Sequence, residues 1–189
     1  MFSPIGTIAQ TYQRSGINVN FNAQAKKLYW FGSYWNYNPA NNDFYEPRSE
    51  GYFFRRGKSV MGGAWFESNA SKKYYFNIET AIRRYIDFYG QAALDAFLIQ
   101  RYRFNDRLSL SYQFSFQPRF NNVGYTDKIS SDIIFARRRI NTVENIFSVK
   151  YSFTNKMGIT FRGRHYNSSV YNRNSLLSGL TVNYQAIVL

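Results

Sequence analysis

The sequence predicts an all-β chain, an antiparallel up-and-down meander of about nine or ten strands forming part of a transmembrane β-barrel. Three observations predict it. Apolar and polar residues alternate with a period of two over much of the chain, and short polar turns alternate with long irregular segments. Aromatic residues make up 20%, as 17 Tyr, 18 Phe and 3 Trp, yet the chain is hydrophilic on average, with a mean hydropathy of −0.46.

The first strand sets Ile17, Val19, Phe21 and Ala23 against Asn18, Asn20 and Asn22. Residues 28–38 are aromatic on both faces and are read as a strand. Tyr74, Phe76 and Ile78 then oppose Tyr75, Asn77 and Glu79, and Thr80 to Tyr89 suits either a short helix or a strand. Segment 92–103 places Asp95, Phe97, Ile99 and Arg101 on one face. Alternation is unbroken over 108–117, where Leu108, Leu110, Tyr112, Phe114 and Phe116 face away from Ser109, Ser111, Gln113, Ser115 and Gln117. Phe147, Val149, Tyr151 and Phe153 oppose Ser148, Lys150 and Ser152, and Ile159 and Phe161 oppose Thr160, Arg162 and Arg164. Leu180, Val182, Tyr184 and Ala186 complete the series.

Short turns fall at Ala25 to Lys27, Asn69 to Lys72, Asn105 to Arg107 and Thr154 to Lys156, with long loops at 38–57 and 118–141 and medium ones at 84–91 and 166–174. Strands apolar outside and polar inside, with tight turns at one end and long loops at the other, fit a membrane barrel, because in hydrocarbon only a closed sheet pairs every backbone group. Tyr and Trp then form aromatic girdles at the two interfaces. Under this reading Ser109, Ser111, Gln113, Lys150, Arg162 and Arg164 face the lumen. Asp43, Phe44, Tyr45, Glu46, Arg48, Arg137, Arg138 and Arg139 lie in extracellular loops, the arginines facing lipid phosphates.

With 24 Lys plus Arg against 11 Asp plus Glu, the 189 residues carry a formal charge of +13. The length bounds one domain, 1–189. Disorder is excluded by the aromatics, and helical membrane spans by the lack of a long apolar run. Zero Cys excludes a disulfide scaffold. A basic, aromatic chain is also what a soluble single-strand nucleic-acid binder requires. That reading is kept as an alternative; because neither an RNA-recognition strand motif nor a compact five-stranded Greek key is found, no nucleic-acid partner is assigned.

From Asn42-Asp43-Phe44-Tyr45-Glu46-Pro47-Arg48 onward the chain resembles a known family. Tyr34-Trp35-Asn36-Tyr37-Asn38-Pro39, Gly51-Tyr52-Phe53-Phe54-Arg55-Arg56, Arg103-Phe104-Asn105-Asp106-Arg107-Leu108 and Pro118 to Tyr125 follow the same pattern in order. So do Asp132-Ile133-Ile134-Phe135, Asn141 to Asn145 and Arg164-His165-Tyr166. Over roughly residues 30–185 this is similar to the C-terminal barrel region of Gram-negative envelope proteins of the domain-of-unknown-function 5916 family. Those proteins often have an N-terminal domain like the family 9 carbohydrate-binding modules. The resemblance implies outer-membrane localisation, with lipid and the barrel assembly machinery as partners and glycans as a further partner through the absent N-terminal domain. It implies a non-enzymatic role in transport or surface glycan handling, the alternative being the barrel part of a membrane-associated glycan hydrolase. Met1 to Thr7 is not a signal peptide, Asn167 stands where the family tends to have an aromatic, and the chain ends at Ile187-Val188-Leu189 without a terminal aromatic. A fragment of a larger barrel is therefore expected.

No catalytic constellation stands out, and the reading leans away from an enzyme. His165 is the single histidine, so a triad has one available base and a multi-histidine metal site is impossible; no cofactor or metal is assigned. Asp43 and Glu46 are the other weak catalytic candidates, since a glycosidase needs two carboxyl groups about 5–10 Å apart. An ion pair between Glu46 and Arg48 that orders the loop is the competing expectation. Gly62-Gly63 is not a phosphate loop; two strand glycines mark a kink or close packing of an aromatic. Phe44, Tyr45, Tyr52, Phe53 and Phe54 suit either stacking on sugars or folding the loop into a plug.

Overall fold

The computed structural model describes residues 14–172 apart from 51, 87, 88, 130 and 131. The expected strand at 180–186 and both chain ends lie outside the described residues. The described residues form ten strands: β1 (Ile17–Ala25), β2 (Tyr29–Asn38), β3 (Asn41–Asp43), β4 (Phe54–Arg56), β5 (Ser59–Glu67), β6 (Tyr74–Tyr85), β7 (Ala92–Arg103), β8 (Leu108–Ile129), β9 (Asp132–Ser152) and β10 (Gly158–Asn172). Eight form one antiparallel sheet in the order β1-β2-β5-β6-β7-β8-β9-β10, and β3 and β4 pair as a separate hairpin. Thr80 to Tyr85 belongs to β6 and is strand; the single helical turn among the described residues is the 3₁₀ turn Lys26–Leu28.

The sheet is open. β1 and β10 lie at its opposite margins and do not pair with each other among the described residues. This overturns the closed barrel, because an open margin leaves a row of backbone N–H and C=O groups that hydrocarbon cannot satisfy. The readings that rested on closure fall with it: transmembrane strands, a lumen, aromatic girdles, outer-membrane localisation, and lipid and assembly-machinery partners. So does the barrel region that the family resemblance implied. Among the described residues no helix is long and apolar enough to cross a membrane, which says nothing of strands.

The turns close on side chains that imitate backbone. Asn105 Oδ1 accepts from the N–H groups of Arg107 and Leu108, both at 2.9 Å, and Asn69 Oδ1 accepts from Ser71 N at 2.9 Å. Asn69 Nδ2 also donates to Lys27 O at 2.7 Å, tying two neighbouring turns together at one end of the sheet. At the other end the β8–β9 hairpin runs on well past the expected strand ends. The segment 118–141, expected as a loop, is strand except at residues 130 and 131, which are not described. Its pairing with β9 shifts register between Arg119 and Asn122 and again between Tyr125 and Asp127, with Asn121 at a φ of 48°. The shift breaks the period of two, which is why the stretch reads as irregular.

Register sorts the main sheet into two faces. One holds Val19, Phe31, Trp35, Ile78, Tyr112, Phe147 and Phe161, and the other Asn20, Asn36, Asn77, Ser111, Ser148 and Arg162. The polar face is the more sheltered: Asn38, Ser59, Ala81, Ala93 and Ile146 are buried there. The apolar face is the open one, with Trp35 58% and Phe161 66% exposed. The small apolar core lies elsewhere, where the β3–β4 hairpin meets the far part of β8 and β9. Phe54 and Val123 are buried there, and the Phe54 ring stacks on Phe135 at 4.6 Å.

β2 and β5 are joined by three pairs of a glycine with an aromatic. Gly32 lies opposite Trp65, Gly63 opposite Tyr34 and Gly62 opposite Trp35, and in each case the aromatic side chain occupies the place where a Cβ would stand. Aromatics at 28–38 therefore face both ways: Trp30 and Tyr34 lie on the polar face, where Tyr34 covers Gly63, and Trp35 covers Gly62 on the other. Tyr34 also donates to Glu79 Oε1 at 2.6 Å. Burial first, then the Glu79 hydrogen bond and charge, with a smaller push from Asp95, hold the Tyr34 phenol well above its ordinary pKa of 10.0. Tyr34→Phe keeps the ring over Gly63 and loses this bond, so it should cost about 1 kcal/mol. A raised folded-state pKa contributes stability below the unfolded value and loses it as pH rises. Thermal melts should thus show the gap between wild type and variant at pH 8 shrinking above about pH 10; a gap unchanged with pH would contradict the assignment.

Candidate functional site

The weak catalytic candidates are brought to three different tasks. Arg56 pairs with Asn41 and Phe54 with Asp43, so Arg56 and Asp43 are diagonal neighbours on one face of the hairpin: Arg56 Nη2 lies 2.8 Å from Asp43 Oδ2 and 3.0 Å from Glu46 Oε2. Asp43 Oδ1 accepts from the N–H groups of Tyr45 at 2.9 Å and Glu46 at 3.0 Å, and Glu46 Oε1 accepts from Tyr125 N at 3.0 Å. Both carboxylates are thereby occupied in folding the loop and docking it on β8. Burial pushes the Asp43 carboxyl up, but the bonds from Arg56, Glu46 N and Tyr45 N, and the Arg56 charge, outweigh it and leave Asp43 below 3.8. A general acid needs the opposite shift.

The expected pairing of Glu46 with Arg48 is not formed. Arg48 lies over the Tyr125 ring at 5.1 Å, and Glu46 takes Arg56. His165 stands opposite Asn145, with its Nδ1 3.4 Å from Asn145 Nδ2, on the apolar face. Arg137, Arg138 and Arg139, expected in an extracellular loop, are part of β9. Arg137 stacks on Tyr89 at 4.5 Å, Arg138 Nε donates to Asn122 Oδ1 at 2.8 Å, and Arg139 stacks on Phe120 at 5.1 Å. Phe44 packs on Phe53 at 5.7 Å within the loop, while Tyr45 is 84% exposed.

Ser109, Ser111, Gln113, Lys150, Arg162 and Arg164 do share one face, the polar one, though it encloses no lumen. Near the turns two rows cross the strands of this face. One runs Tyr75, Arg101, Ser111, Ser148, Arg162; the next runs Arg103, Ser109, Lys150, Thr160. Between and beside them lies a groove of about 560 Å³, lined by Arg101, Arg103, Arg107 and Lys150 against the single acid Asp106, with hydroxyls from Ser109, Ser111, Ser148, Ser152 and Thr160. Arg101 Nη2 at 2.9 Å and Arg103 Nη2 at 3.2 Å both donate to Ala70 O, which fixes the two guanidinium groups side by side. Arg101 also lies 4.9 Å from the centre of the Tyr75 ring.

Two other arginines on this face are neutralised within the protein. Arg119 Nη2 meets Asp95 Oδ1 at 2.6 Å, Gln117 adds a bond to the same oxygen at 3.0 Å, and Arg164 pairs with Glu144. Among the described residues the ion pairs involve Arg56, Arg119 and Arg164 alone, so Arg101, Arg103, Arg107 and Lys150 have no carboxylate counterpart. A second, smaller cavity of about 270 Å³ at the other end of the face is lined by Arg14, Asn38, Asn41, Arg56, Ser59, Arg83 and Tyr85. Among the described residues no group of three or more His, Cys, Asp or Glu is placed to hold a metal.

Sequence reasoning named Lys150 and Arg162 but missed Arg101, Arg103 and Arg107. The signal was available: Arg101 and Arg103 have the parity of the polar face of β7, which sets them beside the serines of β8. The model of a family described as domain of unknown function (DUF5916) matches residues 6–183. No curated protein and no solved structure matches the chain.

Proposed function

Because the chain belongs to the domain of unknown function 5916 family, whose description assigns no activity, we propose a role read from its geometry: a non-catalytic module that binds single-stranded nucleic acid across its polar face. The observation that carries this is the groove in which four basic side chains, none of them in an ion pair, converge against the single acid Asp106. Phosphates of a strand crossing β6 to β10 meet Arg101, Arg103, Arg107 and Lys150, the serine and threonine hydroxyls donate between them, and Tyr75 on β6 offers a flat surface to a base. The meander replaces the Greek key that the sequence reading sought, so the missing Greek-key signature does not count against a nucleic-acid partner. Alternating neighbours supply the platform that contiguous motifs supply in other folds.

Binding of a labelled oligothymidylate, followed by fluorescence anisotropy, tests this. Four phosphate contacts on a single strand give a log–log salt slope of about −2.8, so affinity should fall about 50-fold between 50 and 200 mM salt. Arg101→Ala and Lys150→Ala should each weaken binding and each flatten the slope by about 0.7. An oligogalacturonate arm separates phosphate from carboxylate polymers. Binding of the uronate with none of the oligothymidylate at 50 mM salt would overturn the reading.

A further inference from the structure

The opposite face of the sheet has no role in that reading, and beyond its far end, where Phe54 packs with Val123 and Phe135, it has no cover among the described residues. Register places Val19, Phe21, Trp35, Ile82, Phe147 and Phe161 on it, at 59, 58, 58, 54, 43 and 66% exposure. From β1 to β10 its charged residues are Arg84, Lys128, Arg137 and Arg139, all at the end away from the tight turns. Eight strands at about 4.8 Å spacing and about 30 Å length span roughly 1,100 Å². The largest apolar patch of an ordinary monomer is about 300–600 Å².

We propose that this face is an isologous interface and that its occupant is a second copy of this chain, packed sheet on sheet. Even half of the face, about 550 Å² from each copy, clears the roughly 1,000 Å² total that a specific interface requires. Charge selects the partner. An almost uncharged patch gives a charged partner nothing to pair with, while two such patches satisfy each other by two-fold symmetry. Each copy has a formal charge of +13, and face-to-face packing turns both basic faces outward. With sheets about 10 Å apart, the outward side chains are separated by about 20 Å, more than the Debye length of about 8 Å at physiological salt. Edge-to-edge association would instead extend one basic face.

Sedimentation of the full chain in detergent-free buffer tests this, with twice 22.3 kDa expected. The chain has no Cys, so single cysteines report each face without background. Phe147→Cys should be protected from a maleimide and its neighbour Ser148→Cys should react. Phe147→Asp should give the monomer mass with its oligothymidylate affinity unchanged, which keeps this proposal separable from the previous one. A wild-type mass of 22.3 kDa, a chain kept in solution by detergent micelles alone, or equal labelling at positions 147 and 148 would each overturn it.

Discussion

A valine at position 32 is expected to destabilise the sheet by about 3 kcal/mol, at the upper end of overpacking costs, lowering the melting temperature by about 6–12 °C for a chain of this size. A Cβ at Gly32 would lie 2.5 Å from the backbone oxygen of Phe21, 2.6 Å from Asn22 Oδ1 and 2.7 Å from Trp65 Nε1. The first of these cannot swing aside. Phe21 O belongs to β1, and moving it opens the pairing of Asn22 with Gly32. Trp65 would also have to leave the glycine it covers, uncovering the joint between β2 and β5. Gly163→Ala is the matched control, because its nearest neighbour is Phe161 Cε1 at 3.9 Å and open space surrounds the rest. Circular dichroism melts of both variants check the contrast. A Gly32→Val melt within about 2 °C of wild type would mean the close approach is not rigid.

The same joint shows how much was legible beforehand. Where side chains alternate without interruption, as from Leu108 to Gln117, both strand and face followed from the residues, and β8 pairs there in the expected sense. Where a second requirement is laid over the alternation, the pattern fails. Trp30 and Tyr34 lie on the polar face of β2, so that stretch looks aromatic throughout. Asn121 adds a residue and inverts the parity of β8 until a second shift after Tyr125 restores it, so β8 looks like loop beyond Pro118. Closure was the larger error, and its cause is general. Period two states which side chains share a face, but not whether the last strand returns to the first; that depends on long-range register. The partner of Glu46 was hidden for a related reason. Arg56 is ten residues away and reaches it because β3 and β4 pair, and a three-residue strand leaves little periodic signal.

That clamp yields the second large effect. Arg56→Met should open the β3–β4 hairpin and cost about 2 kcal/mol at pH 7. This is more than the roughly 1 kcal/mol of an exposed pair and less than the 3–5 kcal/mol of breaking a fully buried one. The participating side chains are between a fifth and a quarter exposed, which places them between the two limits. Two carboxylates would be left facing each other, and Glu46 would lose part of what holds it to Tyr125 N on β8. The sign with pH follows from Asp43, whose carboxyl is held below 3.8 in the folded protein. A depressed folded-state pKa contributes stability above the unfolded value and loses it as pH falls through the folded one. Without the guanidinium, the two acids of the variant repel when ionised and gain from protonation. The wild-type advantage should therefore be full at pH 7, narrow from about pH 5 downward and nearly vanish once Asp43 is protonated. Melts at pH 7, 5 and 3 measure this directly. A constant gap would assign the loss to packing of the Arg56 stem against Phe54, whose ring centre lies 5.6 Å from the guanidinium carbon, and not to charge. Asp43→Asn in the Arg56→Met background separates the two, since relieving the repulsion should recover stability at pH 7 if charge is the cause and recover none if packing is.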